Sequence, residues 1–279
     1  MSLIVTVWVD GAIVMAGDSR TSFTNTQMQM PNIVQNPQPH MPIVVPPVQI
    51  TNNNGHHYDT ANKVFLCPNN CGISTCGAAH INNKSIEKYL TKFVTEKDIK
   101  TKDINETVDL LCEYFRALRP HGLIFHVAGY FIDEQGNQLQ KCYTVQVNDH
   151  NFTKIEQDTN ASGAKWDGET SVFSKLFQEQ YFGGNAITTR NLNIQVDGQP
   201  ATISNAIVFD RANATVFQRL DIPFWAFSTQ EAVNFARYII KTTIDTMEFT
   251  NVVKTVGGPI DILVIQPENS KWLAKKKLS

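Results

Sequence analysis

The sequence predicts an α+β fold in which two antiparallel sheets lie between outer helices. Its strands come in hairpin groups joined by short turns, and its helices carry apolar residues at helical spacing. Strand groups and helix groups are segregated along the chain, whereas an alternating α/β fold would interleave them. The 279 residues therefore fit one large domain, 1–279, with inserted segments at about 22–60 and 183–225.

The first predicted element is a hairpin. A β-branched and aromatic run, LIVTVWV, ends at Asp10-Gly11, and a second apolar run, AIVMAG, follows. An Asp-Gly pair between two such runs is a strong signal for a two-residue turn. In that register Leu3 lies opposite Asp18, and facing Cβ atoms are about 4.5–5.5 Å apart. The hairpin therefore brings Asp18 and Arg20 back to the start of the chain.

The remaining elements follow in chain order. Residues 22–60 are rich in proline and asparagine, which predicts an inserted loop outside the core. A second hairpin, NKVFLC with GISTCG, comes next. The later elements are a helix with Ile86, Leu90, Phe93 and Val94 on its apolar face, a helix at about 105–118, a three-strand meander over 123–158, a helix within about 168–182, the second insertion, a long helix that begins at Ser228, where STQE is a capping box, and a final strand at 257–265.

Composition argues against several kinds of partner. The net charge of −2 gives no reason to expect nucleic acid or an anionic membrane. No apolar stretch approaches the roughly 18 residues that span a bilayer, and the start of the chain lacks a signal-peptide pattern. The basic tail at 275–277 (KKK) is predicted to be solvated. The first residues, MSL, resemble a vector-derived leader.

The five cysteines are an odd number, which favours free thiols in a reducing cytoplasm. Three cysteines and three histidines lie near one another in the sequence, but their spacing fits no standard zinc pattern. They are Cys67, Cys71, Cys76, His56, His57 and His80. We therefore predict no metal and no organic cofactor.

Ser2 supplies a candidate nucleophile where the hairpin brings the charges. A hydroxyl beside a free α-amine can attack a carbonyl while the amine, with a pKa of roughly 8, takes its proton. This chemistry requires the removal of Met1, which the small Ser2 favours. The alternative is that Asp18 and Arg20 form an ordinary strand-end ion pair, which is a common and weak interaction.

Several stretches together resemble the proteasome β-subunit and its simpler bacterial relatives, within the N-terminal-nucleophile hydrolases. They are IVTVWVDGAIVMAGDSR, NKVFLCPNNCGISTCGAAH, HVAGYFIDEQGNQL, NASG, STQEAVNFARYIIKTTID and GGPIDILVI. The resemblance covers most of the chain outside the two insertions. It implies a four-layer αββα sandwich with the active site at one end of the sheets.

The resemblance also implies roles for particular residues. Ser2 corresponds to the N-terminal nucleophile, which is usually threonine in proteasomes. Asp18, Arg20 and Lys63 correspond to the charged groups around that nucleophile, and the charge of Lys63 would lower the pKa of a nearby hydroxyl or amine. The alternative for Lys63 is a strand-end lysine paired with a surface acid, since ion-pair networks perturb pKa values without function.

Two further positions follow from the same resemblance. The N–H of Gly77 corresponds to the oxyanion donor, and a backbone donor of this kind contributes about 3–4 kcal/mol. Ser162, beside Gly163, corresponds to the serine that helps to hold the amine. The alternatives are that Gly77 is a packing glycine in a strand and that Ser162-Gly163 is a simple turn.

The last strand departs from the family pattern. In proteasomes an aspartate and a serine precede its double glycine, and this chain has Val253 and Val256 there. The positions of the substrate pocket are mostly small or apolar, which predicts a modest apolar or unselective pocket. They are Thr21, Ala61, Phe65, Thr75 and Ala79.

These observations predict a threonine-peptidase-like hydrolase that acts on peptide or amide bonds through Ser2. The resemblance implies a peptide or protein substrate and a homo-oligomeric ring, and it leaves the ring size and any ATPase partner open. Two alternatives remain. One is a catalytically silent, proteasome-like structural subunit, and the other is a non-peptidase amidase of the same superfamily.

Overall fold

The structure is a computed structural model that describes residues 2–22, 26–28, 49–51, 57–177, 180–182, 188–196, 199–208, 215–217 and 220–277. It divides into two compact units, Met1–Thr170 with Pro223–Ser279, and Ser171–Ile222. The second unit takes in most of the insertion predicted at 183–225. Within the described residues, two five-stranded antiparallel sheets and four α-helices confirm the α+β class.

The strands in chain order are β1 (Leu3–Val9), β2 (Ala12–Gly17), β3 (Thr21–Ser22), β4 (Thr26–Met28), β5 (Gln49–Thr51), β6 (His57–Tyr58), β7 (Val64–Leu66), β8 (Gly72–Gly77), β9 (His80–Ile81), β10 (Lys84–Ser85), β11 (Leu123–Ile132), β12 (Gln138–Asn148), β13 (Asn151–Glu156), β14 (Gly163–Gly168), β15 (Gln180–Phe182), β16 (Thr188–Val196), β17 (Gln199–Val208), β18 (Thr215–Phe217), β19 (Asp261–Ile265) and β20 (Lys271–Ala274). The α-helices are α1 (Ile86–Glu96), α2 (Ile104–Leu118), α3 (Ser171–Phe177) and α4 (Thr229–Glu248), and short 3₁₀ helices lie at Ile99–Thr101 and Phe224–Ala226.

The first sheet of the first unit has the strand order β14-β1-β2-β19-β20. Strands β1 and β2 are buried along their whole length, which explains why both are continuous apolar runs. Their hairpin has the predicted register, with Val9 opposite Ala12 and Ile4 opposite Gly17. The start of β1 and the end of β2 therefore lie side by side.

The second sheet has the order β13-β12-β11-β8-β7. The predicted second hairpin forms as β7 and β8, and the predicted meander forms as β11, β12 and β13. Strand β11 also pairs with β8, with Leu123 opposite Gly77. This pairing joins the hairpin and the meander into one sheet.

The two sheets pack face to face, with β1 and β2 against β8 and with β19 against β7. Gly72 on β8 permits the close approach. A Cβ atom there would lie 2.4 Å from the Met15 sulfur and 2.5 Å from Ile265 Cδ1. Helix α4 contacts β1, β2 and β19 of the first sheet, and α2 contacts β11, β12 and β13 of the second.

Local signals explain where the long helices begin. Both α2 and α4 start at a capping box, formed by Asp103 with Glu106 and by Ser228 with Glu231. The α4 box was predicted, and the apolar stripe of α4 is buried except at Ile244, which is half-buried. Among the described helices, none is both long and apolar enough to cross a membrane.

The first insertion leaves and rejoins the domain as antiparallel ribbons. Strand β3 pairs with β6, and β4 pairs with β5. Within the insertion predicted at 22–60, residues 23–25, 29–48 and 52–56, which include His56, lie outside the described residues. In the second unit, β15 pairs with β18 and β16 pairs with β17.

The sequence analysis missed strand β20, which pairs with β19 at the edge of the first sheet. Just after it, the Lys276 ammonium forms an ion pair with Asp261, and their side chains are only 4% and 2% exposed. The Lys276 N–H also donates to Asp261 at 2.8 Å. The prediction of a solvated tail at 275–277 is therefore wrong at Lys276, because strand pairing carries this lysine back to a buried carboxylate.

We expect Lys276→Ala to lower the free energy of unfolding by about 3–5 kcal/mol, because it leaves Asp261 as an unpaired buried charge. Lys277→Ala changes an exposed neighbour and should alter that free energy by less than about 0.5 kcal/mol. Urea denaturation of both variants measures the difference. An equal loss of free energy of unfolding in both variants would show that the Lys276–Asp261 ion pair does not stabilise the protein.

Candidate active site

The first hairpin places Asp18 beside the start of β1, as predicted. The Asp18 N–H donates to the Leu3 carbonyl at 3.3 Å, and the Leu3 N–H donates to Asp18 Oδ1 at 2.9 Å. Ser2, the residue before Leu3, is 8% exposed. The candidate nucleophile is therefore next to a residue that is held directly by the Asp18 carboxylate.

The Asp18 carboxylate is fully buried and accepts hydrogen bonds on both oxygens. Oδ1 accepts from Lys63 Nζ at 2.7 Å, in addition to the Leu3 N–H. Oδ2 accepts from the N–H groups of Arg20 and Gly257, both at 3.0 Å. The predicted contact between Lys63 and Asp18 is confirmed, and the several charge-assisted bonds compensate the buried charge.

Lys63 lies just before β7 and is 5% exposed. Its ammonium donates to Asp18 and, at 2.5 Å, to the Arg20 carbonyl. Burial lowers the pKa of Lys63, and the Asp18 carboxylate opposes that shift. The interpretation of Lys63 as a lysine paired with a surface acid is wrong, because its partner is fully buried.

Arg20 points to a partner that the sequence analysis did not name. Its guanidinium donates through Nε and Nη2 to the two oxygens of Asp59, at 2.7 and 2.8 Å. This fork keeps the pKa of Asp59 below its ordinary value and raises that of Arg20. Asp59 lies at the end of the proline-rich insertion, where no local pattern marks it.

The double glycine before β19 fits around this ion pair. A Cβ atom on Gly257 would lie 2.3 Å from the Arg20 guanidinium carbon, and one on Gly258 would lie 2.7 Å from Asp59 Cβ. Gly258 also has φ of +74°, which disfavours other residues. The glycines therefore let the last strand close over Arg20 and Asp59.

A cleft of about 250 Å³ opens beside Ser2. Ser2, Lys63 and Gly77 all line it, so the structure brings these three predicted residues together. Four of the predicted substrate-pocket residues line the same cleft. They are Thr21, Ala61, Thr75 and Ala79.

Phe65 is the exception among the predicted pocket residues. It does not line the cleft and instead packs against the hydrophobic cluster of the second sheet and its helices. The prediction for Phe65 is wrong because it lies in β7 opposite Ile73, a member of that cluster.

The cleft also contains polar groups that the sequence analysis missed. Glu87 and His80 line it, together with Asn62. The Asn62 side-chain amide donates to Glu87 Oε1 at 2.5 Å. The start of α1 therefore brings a carboxylate to the cleft, next to the small and apolar residues that were predicted to line it.

Cys76 lines the cleft close to Ser2 but is poorly suited to act as a nucleophile. Burial raises the pKa of its thiol to about 12, so the reactive thiolate is scarce at neutral pH. All five cysteines are free and buried. A serine hydroxyl at Ser2 is the better candidate in this wall of the cleft.

Gly77 has a packing role as well as a place in the cleft. Its φ is +94°, and a Cβ atom there would lie 1.9 Å from the Gly122 carbonyl oxygen. Any other residue would clash with that backbone, so the packing interpretation accounts for the glycine. Its position beside Ser2 in the cleft leaves the oxyanion role as a prediction.

Ser162 is not at the site, and its predicted role is wrong. Strand β14 runs antiparallel to β1, with Gly163 opposite Trp8 and Gly168 opposite Leu3. Ser162 therefore lies at the far end of β1, roughly 20 Å along the strand from Gly168. The Ser-Gly pair belongs to the loop in which the Ala161 carbonyl accepts from the Trp8 indole at 2.8 Å.

Gly168 and Glu169 occupy the place beside Ser2. The Glu169 N–H donates to the Ser2 carbonyl at 2.7 Å. Gly168 has φ of +104°, and a Cβ atom there would lie 1.8 Å from that carbonyl oxygen. The buried Thr255 hydroxyl donates to Glu169 Oε2 at 3.5 Å. A polar pair, Thr255 with Glu169, therefore lies beside the positions of Val253 and Val256.

A second buried polar network lies between the sheets. The Thr6 hydroxyl contacts His126 Nδ1 at 2.9 Å, and His126 Nε2 contacts Asp167 Oδ2 at 2.8 Å. Thr6 and His126 are 1% and 2% exposed, so a substrate has no access to them. Burial lowers the pKa of His126. The network ties β1, β11 and β14 together next to Gly168.

A search of protein-family models and a search of curated proteins both found no match to this chain. Among the described residues, no group of three or more His, Cys, Asp or Glu side chains could hold a metal ion.

We expect Asp18→Asn to lower the free energy of unfolding by about 3–5 kcal/mol near neutral pH, because it strands the Lys63 cation in the interior. Removing Asp18 also lets the pKa of Lys63 fall further. The folded variant then favours neutral Lys63, so its deficit should shrink as pH rises from 6 to 9. Chemical denaturation at several pH values measures this.

Asp10→Asn is the matched control, because Asp10 is exposed and Asn-Gly suits the same turn. It should change stability little at any pH. A deficit in Asp18→Asn that stays constant with pH would contradict the stranded-cation explanation.

Proposed function

We propose that this protein is an N-terminal-nucleophile hydrolase that cleaves peptide or amide bonds with Ser2, after cleavage of the Met1–Ser2 bond. The observation that carries the proposal is the convergence of Ser2, the buried Lys63–Asp18 pair and Gly77 on one cleft. The helices packed outside two face-to-face sheets support the αββα architecture of that superfamily. The resemblance to the proteasome β-subunit supports a threonine-peptidase-like mechanism.

In the proposed reaction, Ser2 Oγ attacks the substrate carbonyl carbon, and the Ser2 α-amine accepts the hydroxyl proton directly or through a water. The Gly77 N–H stabilises the oxyanion. The C–N bond then breaks, and the leaving amine takes the proton from the α-ammonium. A water, deprotonated by the same amine, hydrolyses the resulting ester and frees the acid and Ser2.

Electrostatics near Ser2 suit this role of the amine. A nearby cation disfavours protonation of the amine, and a nearby carboxylate favours it. Asp18 and Lys63 are in direct contact at 2.7 Å, so their charges largely cancel at the amine. The ordinary pKa of an α-amine, roughly 8, is therefore the reference value for the proposed proton transfer.

A catalytically silent, proteasome-like subunit is the second candidate. It is favoured by the position of Ser162, which lies far from Ser2 and leaves the predicted amine-holding serine out of the site. Both candidates include a homo-oligomeric ring and a cytoplasmic location as parts of the proposal. Only the hydrolase requires a free Ser2 amine.

We expect protein that begins at Ser2 to hydrolyse peptide amides, with activity that rises with pH through an apparent pKa near or somewhat below 8. This apparent pKa is a property of the interacting Ser2 amine, Asp18 and Lys63 together, and not of the amine alone. Protein that retains Met1 and the Ser2→Ala variant should be inactive and should melt at nearly the same temperature. Intact-mass measurement identifies the N-terminus of each sample.

Equal hydrolysis by Met1-retaining and Ser2-initiated protein would show that the α-amine is not the base. Removal of Met1 without hydrolysis of any peptide or amide would favour the silent subunit. Cleavage of small acyl amides but of no peptide would favour the amidase.

We expect Glu169→Gln to shift the acid limb of the pH–rate profile to lower pH. The Glu169 backbone N–H donates to the Ser2 carbonyl, so this acidic residue lies beside Ser2, and a negative charge near the α-amine favours the ammonium form. Thr255→Val is the control, because it removes the hydroxyl that contacts Glu169 and keeps the charge. An equal shift of the pH–rate profile in both variants would show that the shift comes from moving the Glu169 side chain and not from removing its charge.

A further inference from the structure

The start of α1 forms one part of the lining of the cleft beside Ser2. Ser85, Ile86 and Glu87 come from this part of the chain. Among these three residues, Glu87 is the charged one.

Glu87 supplies a negative charge to the same cleft. It is half-buried, in the first turn of α1, and Asn62 orients it through the bond to Oε1. Among the described residues, no lysine, arginine or histidine forms an ion pair with Glu87. No described cation therefore cancels its charge.

Each positive group near the cleft is either paired with a carboxylate of its own or carries less charge than Glu87. The Lys63 ammonium is neutralised by Asp18 at 2.7 Å, and the Arg20 guanidinium is neutralised by Asp59. The N-terminus of α1 carries about half an elementary positive charge, which one carboxylate in its first turn exceeds. His80 lies at the exposed rim. Among the described residues that line the cleft, Glu87 is therefore the one whose charge stays uncompensated.

We infer that this cleft selects substrates with a basic side chain, lysine or arginine, which donates to Glu87 while Ser2 attacks the adjoining carbonyl. The inference rests on the proposed function for the attack, and on Glu87 for the selectivity. The volume of about 250 Å³ is compatible with one long side chain. Glu87 is then a specificity-determining residue.

The test has a kinetic arm and a binding arm. In the kinetic arm, Ser2-initiated protein is assayed with acylated peptide amides that differ only in arginine, leucine or glutamate before the scissile bond. We expect kcat/KM to be highest for arginine. Glu87→Gln should lower the arginine value by about 10- to 100-fold and leave the leucine value nearly unchanged. Glu87→Lys should shift the preference to glutamate.

Glu113→Gln removes an exposed carboxylate on α2 and should alter none of these values.

In the binding arm, the non-cleaving Ser2→Ala protein is titrated with the same arginine, leucine and glutamate peptides by calorimetry. Tighter binding of the arginine peptide, lost in the double variant with Glu87→Gln, supports the inference even if the wild type hydrolyses none of them. That combination would overturn the proposed hydrolysis alone. Hydrolysis without an arginine preference, or binding of no peptide, would overturn the inference.

Discussion

One buried carboxylate organises the end of the sheets where the cleft opens. Asp18 has no contact with solvent, so its charge must be compensated from within the protein. It accepts from the Leu3, Arg20 and Gly257 N–H groups and from the Lys63 ammonium. These groups come from four separate segments of the chain. The charge of Asp18 can be buried only when all four segments have converged, and that convergence is what forms the site.

Charge cancellation divides the cleft into two regions. Around Ser2, the Lys63–Asp18 and Arg20–Asp59 pairs are each neutral overall, so they fix geometry with little net field. Across the cleft, Glu87 keeps a charge that only an amide contacts among the described residues. In the proposed hydrolase, substrate preference and proton transfer would then depend on different residues, so one could change without the other.

The features that were predictable from the sequence are those with a local cause. The Asp10-Gly11 turn fixes the hairpin register, and the capping box at Ser228 fixes the start of α4. Ser162 was misplaced because a Ser-Gly pair does not specify its strand partner, and the pairing of β14 with β1 joins residues more than 150 positions apart. Glu169 and Asp59 were missed for the same reason.

Two sets of contacts hold the two ends of the first insertion together. Strands β3 and β6 pair at Thr21 with Tyr58 and at Ser22 with His57, and the Arg20–Asp59 fork lies directly beneath them. The two ends of the insertion are thus held together by contacts that do not involve the segment between β3 and β6. Because the entropy of closing a loop rises only slowly with its length, the anchored ends can accept segments of very different length and composition. The anchoring of these two ends therefore sets no limit on the length of chain between β3 and β6, and it leaves Asp18 with the same partners whatever that length is.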